Sequence, residues 1–328
     1  MHKLLRGNNG LELTARLHFH LSASFCMISM LQLNRTLSAH SGAVYALETG
    51  RTPGEFYSGG SDRIVSRWDL SADAPPAGLV NVGSIIYSMR YLPSFELLII
   101  GLSSGLFHVV SLREQKELKL LSHHSGGIFE MVYSEKHQLL YLCSGDGSVS
   151  AWSVPDFEMQ ASIKLCDEKV RGISLDTDQN ILAAACGDGS VRIFHADKLH
   201  LMHRLFAHNL SANCVCFHPD GNFLLSGGRD AMLRLWNTSN FEMIREIPAH
   251  NYAIYSISFS PDKKFFATGS RDKTVKIWNS TNAEFVFRAD REKSGGHSHS
   301  VNRVLWTNYE NTLLSAGDDR NILAWKIN

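Results

Sequence analysis

The sequence lacks the bulk features that would draw the whole protein to a charged or apolar surface. Its 328 residues include 32 basic and 32 acidic side chains, so the formal net charge is zero. We therefore expect no general attraction to nucleic acid or to an anionic membrane, and any recognition of charge must be local. No apolar run approaches the ~20 residues that a membrane-spanning helix needs.

The cysteines also lack the spacing of a disulfide framework or a zinc site. None of the six belongs to a CxxC pair; they are Cys26, Cys143, Cys166, Cys186, Cys214 and Cys216. We therefore expect a reducing compartment, the cytoplasm, in which the thiols act as small apolar side chains. Cys214 and Cys216 alternate on a predicted strand and point to the same face, which favours packing over bridging.

Motifs for metal or phosphate binding are weak. The histidine-rich segments at residues 18–20, 123–124 and 297–299 offer no third ligand at a compelling spacing, so no metal site is predicted. The glycine pair Gly227-Gly228 lies in a predicted hairpin with no helix after it, unlike a phosphate-binding loop. No cofactor is expected.

Residues 1–30 differ from the rest of the chain. Lys3 and Arg6 precede a mildly apolar stretch that histidines and serines interrupt. We expect an N-terminal extension outside the mature fold. A cleaved signal segment, and an upstream extension of the reading frame ahead of Met27 or Met30, remain alternatives.

What the chain has in abundance is a repeat of 42 residues. The clearest copy, residues 268–279, has two β-rich runs around the polar turn Arg271-Asp272-Lys273, which predicts a hairpin. The positions aligned with its tryptophan are Trp68, Val110, Trp152, Phe194, Trp236, Trp278 and Trp325. The positions 28 residues before these are His40, Val82, His124, Cys166, His208, His250 and His297. Seven units in one register predict a stack of small sheets.

The two ends of the repeat array predict a closed ring. Residues 31–37 form a strand that precedes the first unit, and the last unit ends three residues after Trp325 without an outer strand of its own. We expect residues 31–37 to complete the last unit, which would remove the exposed sheet edges of an open array. The step to the last unit is five residues longer than the others, and residues 289–296 hold the extra length. This charged insertion is expected to be a solvated loop, with a partner contact as the alternative.

These features resemble the WD-repeat β-propeller family. Trp68-Asp69 and Gly296-His297 carry the family's signature dipeptides, and Trp236-Asn237 and Trp278-Asn279 are close variants. The resemblance covers residues 31–328 and implies an all-β, seven-bladed propeller with four antiparallel strands in each blade. It specifies the fold far more closely than the function.

The resemblance further implies a hydrogen-bonded network of His, Ser or Thr, Asp and Trp in each intact blade. Its members would be His40, Ser58, Asp62 and Trp68 in blade one; His208, Ser226, Asp230 and Trp236 in blade five; His250, Thr268, Asp272 and Trp278 in blade six; and His297, Ser315, Asp319 and Trp325 in blade seven. A hydrolase triad is the competing interpretation, but recurrence in every intact blade, with the hydroxyl engaged by a tryptophan, favours a structural role.

Three blades depart from this pattern. Blade three keeps His124, Asp146 and Trp152 but has Leu142 at the hydroxyl position. Blades two and four have exchanged nearly all members, to Val82, Ile100, Ser104 and Val110 in one and to Cys166, Ala184, Asp188 and Phe194 in the other. Exchanging members together avoids stranded polar groups, so both blades are expected to fold. Asp188 is expected only to shape its Asp-Gly turn.

The resemblance also implies where a partner would bind. In the family, residues at the start of each inner strand and just before the turn aspartate project onto the top face around the central channel. With Lys169, which neighbours Arg171, the positions that we select here are Tyr45, Tyr87, Phe129, Lys169, Arg171, Asn213, Arg229, Tyr255, Arg271, Asn302 and Asp318. Aromatic and arginine side chains dominate binding hot spots. We expect a partner segment with apolar and acidic groups; the alternative is that the aromatic residues only fill the channel mouth.

Three classes of function follow from these observations. We expect a non-catalytic protein-interaction scaffold, a monomeric propeller within a complex, with no nucleic-acid or membrane partner. One alternative is a propeller enzyme or small-molecule binder that uses the central channel, where the sequence offers only an isolated Asp318. The other is a secreted or periplasmic repeat protein, which depends on whether the first 30 residues are cleaved.

Overall fold

The computed structural model describes residues 31–327, which form seven four-stranded antiparallel sheets. The seven-bladed propeller is thereby confirmed. The expectations for residues 1–30, including the paired histidines at 18–20 and Cys26, lie outside the described residues and stay predictions. No helix in the described part of the chain is long and apolar enough to cross a membrane.

The first four blades follow one another along the chain. Blade one comprises β2 (Val44–Thr49), β3 (Glu55–Gly60), β4 (Ile64–Asp69) and β5 (Ala77–Asn81). Blade two comprises β6 (Ile86–Leu92), β7 (Leu97–Leu102), β8 (Leu106–Ser111) and β9 (Lys116–Ser122). Blade three comprises β10 (Ile128–Ser134), β11 (Leu139–Ser144), β12 (Ser148–Ser153) and β13 (Met159–Lys164). Blade four comprises β14 (Val170–Leu175), β15 (Ile181–Cys186), β16 (Ser190–His195) and β17 (His200–Phe206).

The remaining three blades complete the ring. Blade five comprises β18 (Ala212–Phe217), β19 (Phe223–Gly228), β20 (Met232–Asn237) and β21 (Met243–Pro248). Blade six comprises β22 (Ile254–Phe259), β23 (Phe265–Ser270), β24 (Val275–Asn279) and β25 (Phe285–Ala289). Blade seven comprises β26 (Val301–Trp306), β27 (Leu313–Gly317), β28 (Asn321–Ile327) and β1 (Leu31–Ser38). A short 3-10 turn, Pro93–Phe95, links β6 to β7.

The predicted closing strand pairs as expected. β1 lies antiparallel to β28, with Leu37 opposite Ile322 and Leu31 opposite Ile327. The hydroxyl of Ser38 donates to Asn321 Oδ1 at 2.5 Å across the same pair. The last blade is therefore built from both ends of the repeat array.

Strand composition follows each strand's position in its blade. The second strand of blade two, Leu97–Leu102, is buried along its whole length, whereas the outer strand Lys116–Ser122 is almost entirely exposed. Second strands are covered by neighbouring blades on both faces and are therefore buried, and in blades two and four they are continuous apolar runs. Outer strands form the sheet edges, where lysine and glutamate discourage pairing with other chains.

The apolar core is divided among the spaces between blades. One cluster joins Ile99 and Phe107 of blade two to Met131, Leu140 and Trp152 of blade three, and similar clusters recur around the ring. The ring centre, by contrast, is a cavity of about 690 Å³ to which every blade contributes residues of its first strand. Stability thus arises between blades, and the central channel is left available for polar groups.

The insertion before blade seven is largely exposed, as expected, but it contains a helical turn that was not predicted. Residues Arg291–Ser294 form one helical turn, α1, and the side chain of Asp290 accepts the backbone N–H of Lys293 at 2.9 Å. Gly295 ends the turn in the left-handed region with φ of 68°. An aspartate N-cap and a glycine C-cap are sufficient to order a single turn.

Ring closure can be tested with substitutions on β1. Leu37 is 8% exposed and packs in the cluster with Val44, Phe56 and Ile322. We expect Leu37→Ala to lower the free energy of unfolding by about 2 to 4 kcal/mol, because it leaves a cavity at the closing strand. Denaturant titration would measure the change. The matched control Thr36→Ala, on the exposed face of the same strand, should change it by less than ~0.5 kcal/mol. Equal effects of the two substitutions would contradict a closing role for β1.

Candidate functional site: the blade networks and the channel mouth

The four predicted polar networks are present in blades one, five, six and seven. In blade one, His40 Nδ1 lies 2.7 Å from Asp62 Oδ2 and His40 Nε2 lies 2.6 Å from Ser58 Oγ, which also accepts the Trp68 indole N–H at 2.7 Å. The corresponding distances in the other three blades are 2.8–3.0 Å. The Ser or Thr of each network is completely buried.

In this geometry the hydroxyl is both a hydrogen-bond donor and an acceptor. When the histidine donates its Nδ1–H to aspartate, its Nε2 accepts a hydrogen bond from the hydroxyl, and the hydroxyl oxygen accepts one from the indole N–H. The same aspartate receives backbone N–H groups of the turn, as Asp272 does from Asn251 at 3.0 Å and Thr274 at 3.1 Å. The network therefore joins the loop before each blade to its second and third strands, which is a structural role.

The charge state of the network follows from its burial. Burial lowers the pKa of His250 below its ordinary value, against the opposing effect of Asp272. Burial alone would raise the pKa of Asp272, but hydrogen bonds from His250 and Thr274 lower it. At neutral pH the pair is thus a neutral imidazole beside a carboxylate.

Blade three keeps a complete network by moving its hydroxyl. Ser150 Oγ lies 2.8 Å from His124 Nε2 and accepts the Trp152 indole N–H at 2.8 Å. Ser150 is the cross-strand partner of Leu142, so the hydroxyl has passed from the second strand to the third without leaving the network. Alignment of the repeats missed Ser150. The sequence feature that could have identified it is the pair of serines, Ser148 and Ser150, shortly before Trp152.

Blade four replaces the network with an ion-pair cluster. Asp188 Oδ2 accepts Arg192 Nη2 at 2.8 Å and Arg204 Nη2 at 2.9 Å, while its Oδ1 accepts the backbone N–H of Ser190 at 2.9 Å. Asp188 thus shapes its turn as predicted and also binds two arginines, which was not predicted. In blade two, Ser84 and Ser103 contact each other through their hydroxyls at 3.1 Å.

A β-bulge explains why the predicted inner-strand residues project into the channel mouth. In every blade the pairing of the first two strands skips one residue, as between Val44 and Ala46 in blade one. The skipped residues are Tyr45, Tyr87, Phe129, Arg171, Asn213, Tyr255 and Asn302. All seven line the central cavity. A bulged residue is free of ladder pairing, so its side chain can be aimed away from the sheet.

Four of the bulge residues form a continuous ladder. Tyr45 meets Tyr87 edge to face with ring centroids 5.5 Å apart, and Tyr87 stacks on Phe129 at 5.0 Å. The Arg171 guanidinium lies 4.9 Å from the Phe129 centroid, and Lys169 Nζ lies 5.7 Å from the same ring. The structure therefore brings together the aromatic residues of blades one to three and the first cations of blade four.

The cations of blades four to six lie around the same cavity. Lys169, Arg229 and Arg271 are exposed, and Arg171 is half-buried. No ion pair among residues 31–327 involves any of these four side chains. Tyr255 lies among them on blade six. Asp318 of blade seven, which lies between blades six and one, is exposed and contributes to the raised pKa of Tyr45, for which burial is the larger cause.

Two of the predicted residues are engaged within the ring. Asn213, which is 5% exposed, donates its side-chain amide to the Ile254 carbonyl of the next blade at 3.0 Å. Asn302 donates in the same way to the Val44 carbonyl at 3.1 Å and to Asp318 at 2.8 Å. Both amides connect neighbouring inner strands, so we leave both asparagines out of the surface argued below.

Below the mouth, the channel contains ion pairs that the repeat pattern did not predict. Arg303 of blade seven forms a bidentate pair with Glu130 of blade three, one contact being 2.9 Å. Arg90 donates to the Met131 carbonyl at 2.7 Å and lies 3.5 Å from Glu48. Burial raises the pKa of Glu48, whereas the charge of Glu130 raises that of Arg303 against the effect of burial. The sequence feature that could have predicted these pairs is a charged residue inside an otherwise apolar strand, such as Glu130 in Ile128–Ser134.

Comparison with protein families agrees with this architecture. The family described as WD domain, G-beta repeat matches residues 31–69, 199–237, 241–279 and 291–326. The family described as Anaphase-promoting complex subunit 4 WD40 domain matches residues 131–215. The matches leave out blade two, in which the network residues have been exchanged. A search of curated proteins finds no match to the chain.

The relocated hydroxyl of blade three can be tested by deletion. We expect Ser150→Ala to lower the free energy of unfolding by about 2 to 4 kcal/mol, because it leaves the Trp152 indole N–H and His124 Nε2 buried without partners. Ser66→Ala is the matched control. Ser66 occupies the aligned, buried position of blade one, where Ser58 already completes the network, and we expect less than ~1 kcal/mol. A neutral Ser150→Ala would show that blade three does not depend on its network.

The buried histidines predict a loss of stability in mild acid. Burial lowers the pKa of His124 and His250 from 6.5, so below that pH the unfolded chain binds protons that the folded chain excludes. We expect the free energy of unfolding to fall as the pH decreases from about 6.5, and further near pH 4 as the lowered pKa of Asp146, about 2, comes into play. Denaturant midpoints from pH 8 to pH 5 would measure the first part.

The control for the acid effect is the variant His124→Gln/His250→Gln, which removes both imidazoles. Its stability should vary less with pH than that of the original chain. An undiminished pH dependence in the double variant would assign the acid effect to other groups.

Proposed function

Because the chain belongs to the WD-repeat β-propeller family, whose domains are typically protein-interaction scaffolds, we propose that it is a non-catalytic scaffold that binds a protein segment at the channel mouth. The segment would carry acidic and apolar side chains. The observation that carries this proposal is a set of four cations that form no ion pair within residues 31–327 and that are continuous with an aromatic ladder, all around one cavity.

The cations favour an acidic segment. Arg229 and Arg271 are exposed and have no carboxylate partner within residues 31–327, so a carboxylate of a ligand would gain charge-assisted hydrogen bonds without breaking an existing pair. Arg171 is held against the Phe129 ring and loses little side-chain freedom when it binds. Asp318 of blade seven, which adjoins blade six, repels acidic groups and would direct them away from blade seven toward the cations of blades four to six.

The aromatic ladder favours apolar groups in the same segment. Tyr45, Tyr87 and Phe129 are only partly buried, and their rings contact one another at the channel mouth. Rigid aromatic side chains supply contact area at a low entropic cost. A peptide that crosses the mouth could thus place an apolar side chain on the ladder and a carboxylate beside Arg229 or Arg271.

The channel below the mouth suits this function less well. Its charged residues already satisfy one another, as Arg303 and Glu130 do, so a ligand that enters deeply would have to separate a buried pair. Separating such a pair costs several kcal/mol. We therefore favour binding at the mouth over a small-molecule site in the interior.

The proposal can be tested with a pool of labelled synthetic peptides in which Glu or Asp and Leu or Phe occupy varied positions. We expect the full chain to select peptides that carry both classes, and to reject matched pools with Lys in place of the acids or Ser in place of the apolar residues. Arg229→Glu/Arg271→Glu should weaken binding of the selected peptides about tenfold or more. Fluorescence anisotropy would measure the dissociation constants, which should also rise with salt.

The matched control is Lys116→Glu/Lys198→Glu, which makes the same change in net charge on exposed residues near the connections between third and fourth strands, away from the mouth. It should leave peptide binding unchanged. If both double variants weaken binding equally, or if the pool shows no preference for acidic over basic peptides, the proposed surface is wrong.

A further inference from the structure

Blade four holds a pair of thiols at the place where intact blades hold histidine. Cys166 occupies the histidine position, and its sulfur, the sulfur of Cys186 and a carboxylate oxygen of Asp188 all lie within 4.8 Å of one another. Cys186 is completely buried, whereas Cys166 is partly exposed. One thiol is thus accessible to a reagent and the second lies directly behind it.

The carboxylate of Asp188 beside the pair is itself paired with the guanidinium groups of Arg192 and Arg204. Arg192 donates to the Leu165 carbonyl, immediately before Cys166, and also to Asp188 Oδ2 at 2.8 Å. The Cys166 thiol contacts the Glu168 carbonyl at 3.2 Å. A guanidinium beside a partly exposed thiol favours the thiolate, which is the reactive form of cysteine.

The same cluster is poorly suited to a metal ion. Both oxygens of the Asp188 carboxylate already accept hydrogen bonds, Oδ1 from Ser190 and Oδ2 from Arg192 and Arg204. A divalent cation would have to displace these donors and bind beside two guanidinium groups. The charge distribution therefore favours thiolate chemistry over metal coordination.

We propose that Cys166 and Cys186 form an oxidative modification site, at which a low-molecular-weight disulfide converts the two thiols into an intramolecular disulfide bond. The Cys166 thiolate attacks one sulfur of the small disulfide, forms a mixed disulfide and releases the first small thiol. The Cys186 thiol then loses its proton and attacks the Cys166 sulfur, which releases the second small thiol. Two electrons pass from the cysteine pair to the small disulfide, which is reduced to two thiols.

The titration of the two thiols agrees with these roles. The neighbouring Cys186 thiol lowers the pKa of Cys166 to about 7, against the opposing effects of burial and of the Asp188 carboxylate. The contact with Cys166, together with burial, raises the pKa of Cys186. Cys166 is therefore the attacking thiol and Cys186 the resolving one. The two sulfurs lie within 4.8 Å of each other, and a disulfide needs an S–S distance of ~2.05 Å, so they must approach by less than ~3 Å. The Cys166 side of this approach lies in the loop between β13 and β14, outside any strand.

The repeats supply a conservative variant for the test. The positions aligned with Cys186 in blades three and six are Ser144 and Ser270, both completely buried. Their hydroxyls donate to the carbonyls of Gly126 and Tyr252, which align with Glu168. Cys186→Ser therefore introduces a side chain that two other blades accommodate, and it removes the resolving thiol without opening a cavity.

The experiment treats the reduced full chain with oxidised glutathione, quenches it by alkylation and maps it after trypsin digestion. Cleavage after Lys164, Lys169, Arg171 and Arg192 separates the two cysteines into peptides 165–169 and 172–192. We expect these two peptides to be joined by a disulfide. Cys186→Ser should instead accumulate glutathione on Cys166. Cys166→Ser should leave Cys186 as a free thiol, without glutathione and without a disulfide. Cys216→Ser, the control, should still give the joined peptides.

Three outcomes would overturn the proposal. The first is a stable glutathione adduct on Cys166 of the original chain with no joined peptides. The second is joined peptides that involve Cys143, Cys214 or Cys216 instead. The third is protection of both Cys166 and Cys186 from alkylation by one equivalent of Zn²⁺ in the reduced protein, which would show a metal site. The test does not depend on the partner surface at the channel mouth, so the two proposals can fail separately.

Discussion

Ring closure is the constraint on which the other features of this protein depend. Each blade has a second strand that is buried on both faces, so a blade is stable only when a neighbour covers each face. The pairing of β1 with β28 makes blade seven from both ends of the array and brings blade seven against blade one. The interblade cores and the central channel therefore all depend on one antiparallel strand pair.

The bulge in each inner strand lets the side chains at the channel mouth vary independently of those that pack the cores between blades. A residue that skips the ladder contributes little to pairing, so its side chain can change without disturbing the cores between blades. The seven bulge positions accordingly range from Tyr45 to Arg171 to Asn213, while five of the seven tryptophan positions keep tryptophan. The propeller thus offers seven adjustable side chains around one mouth, and the asparagines show that some of them serve the ring itself.

Features that repeat locally could be predicted from the sequence, and features that cross the ring could not. The 42-residue register predicted the blades and the closing strand, and the resemblance to the WD-repeat family implied the four complete networks. Ser150 was missed because it replaces a hydroxyl across a strand pair, which alignment of single positions cannot detect. The pair of Glu130 with Arg303 depends on the closed ring. The Asp290 cap of α1 was available in the sequence as a helix-start signal.

Blade four shows why new chemistry is expected where a network has been dismantled. In an intact blade, changing one buried member strands the others without hydrogen-bond partners, so the histidine, hydroxyl, aspartate and tryptophan restrain one another. Blade four has exchanged its histidine, hydroxyl and tryptophan, and its remaining aspartate is satisfied by Arg192 and Arg204. The former histidine position is therefore free to carry a thiol. The loop that begins there also carries Lys169 and leads into Arg171. The part of blade four that has lost the network therefore holds both the thiol pair and two of the cations at the channel mouth.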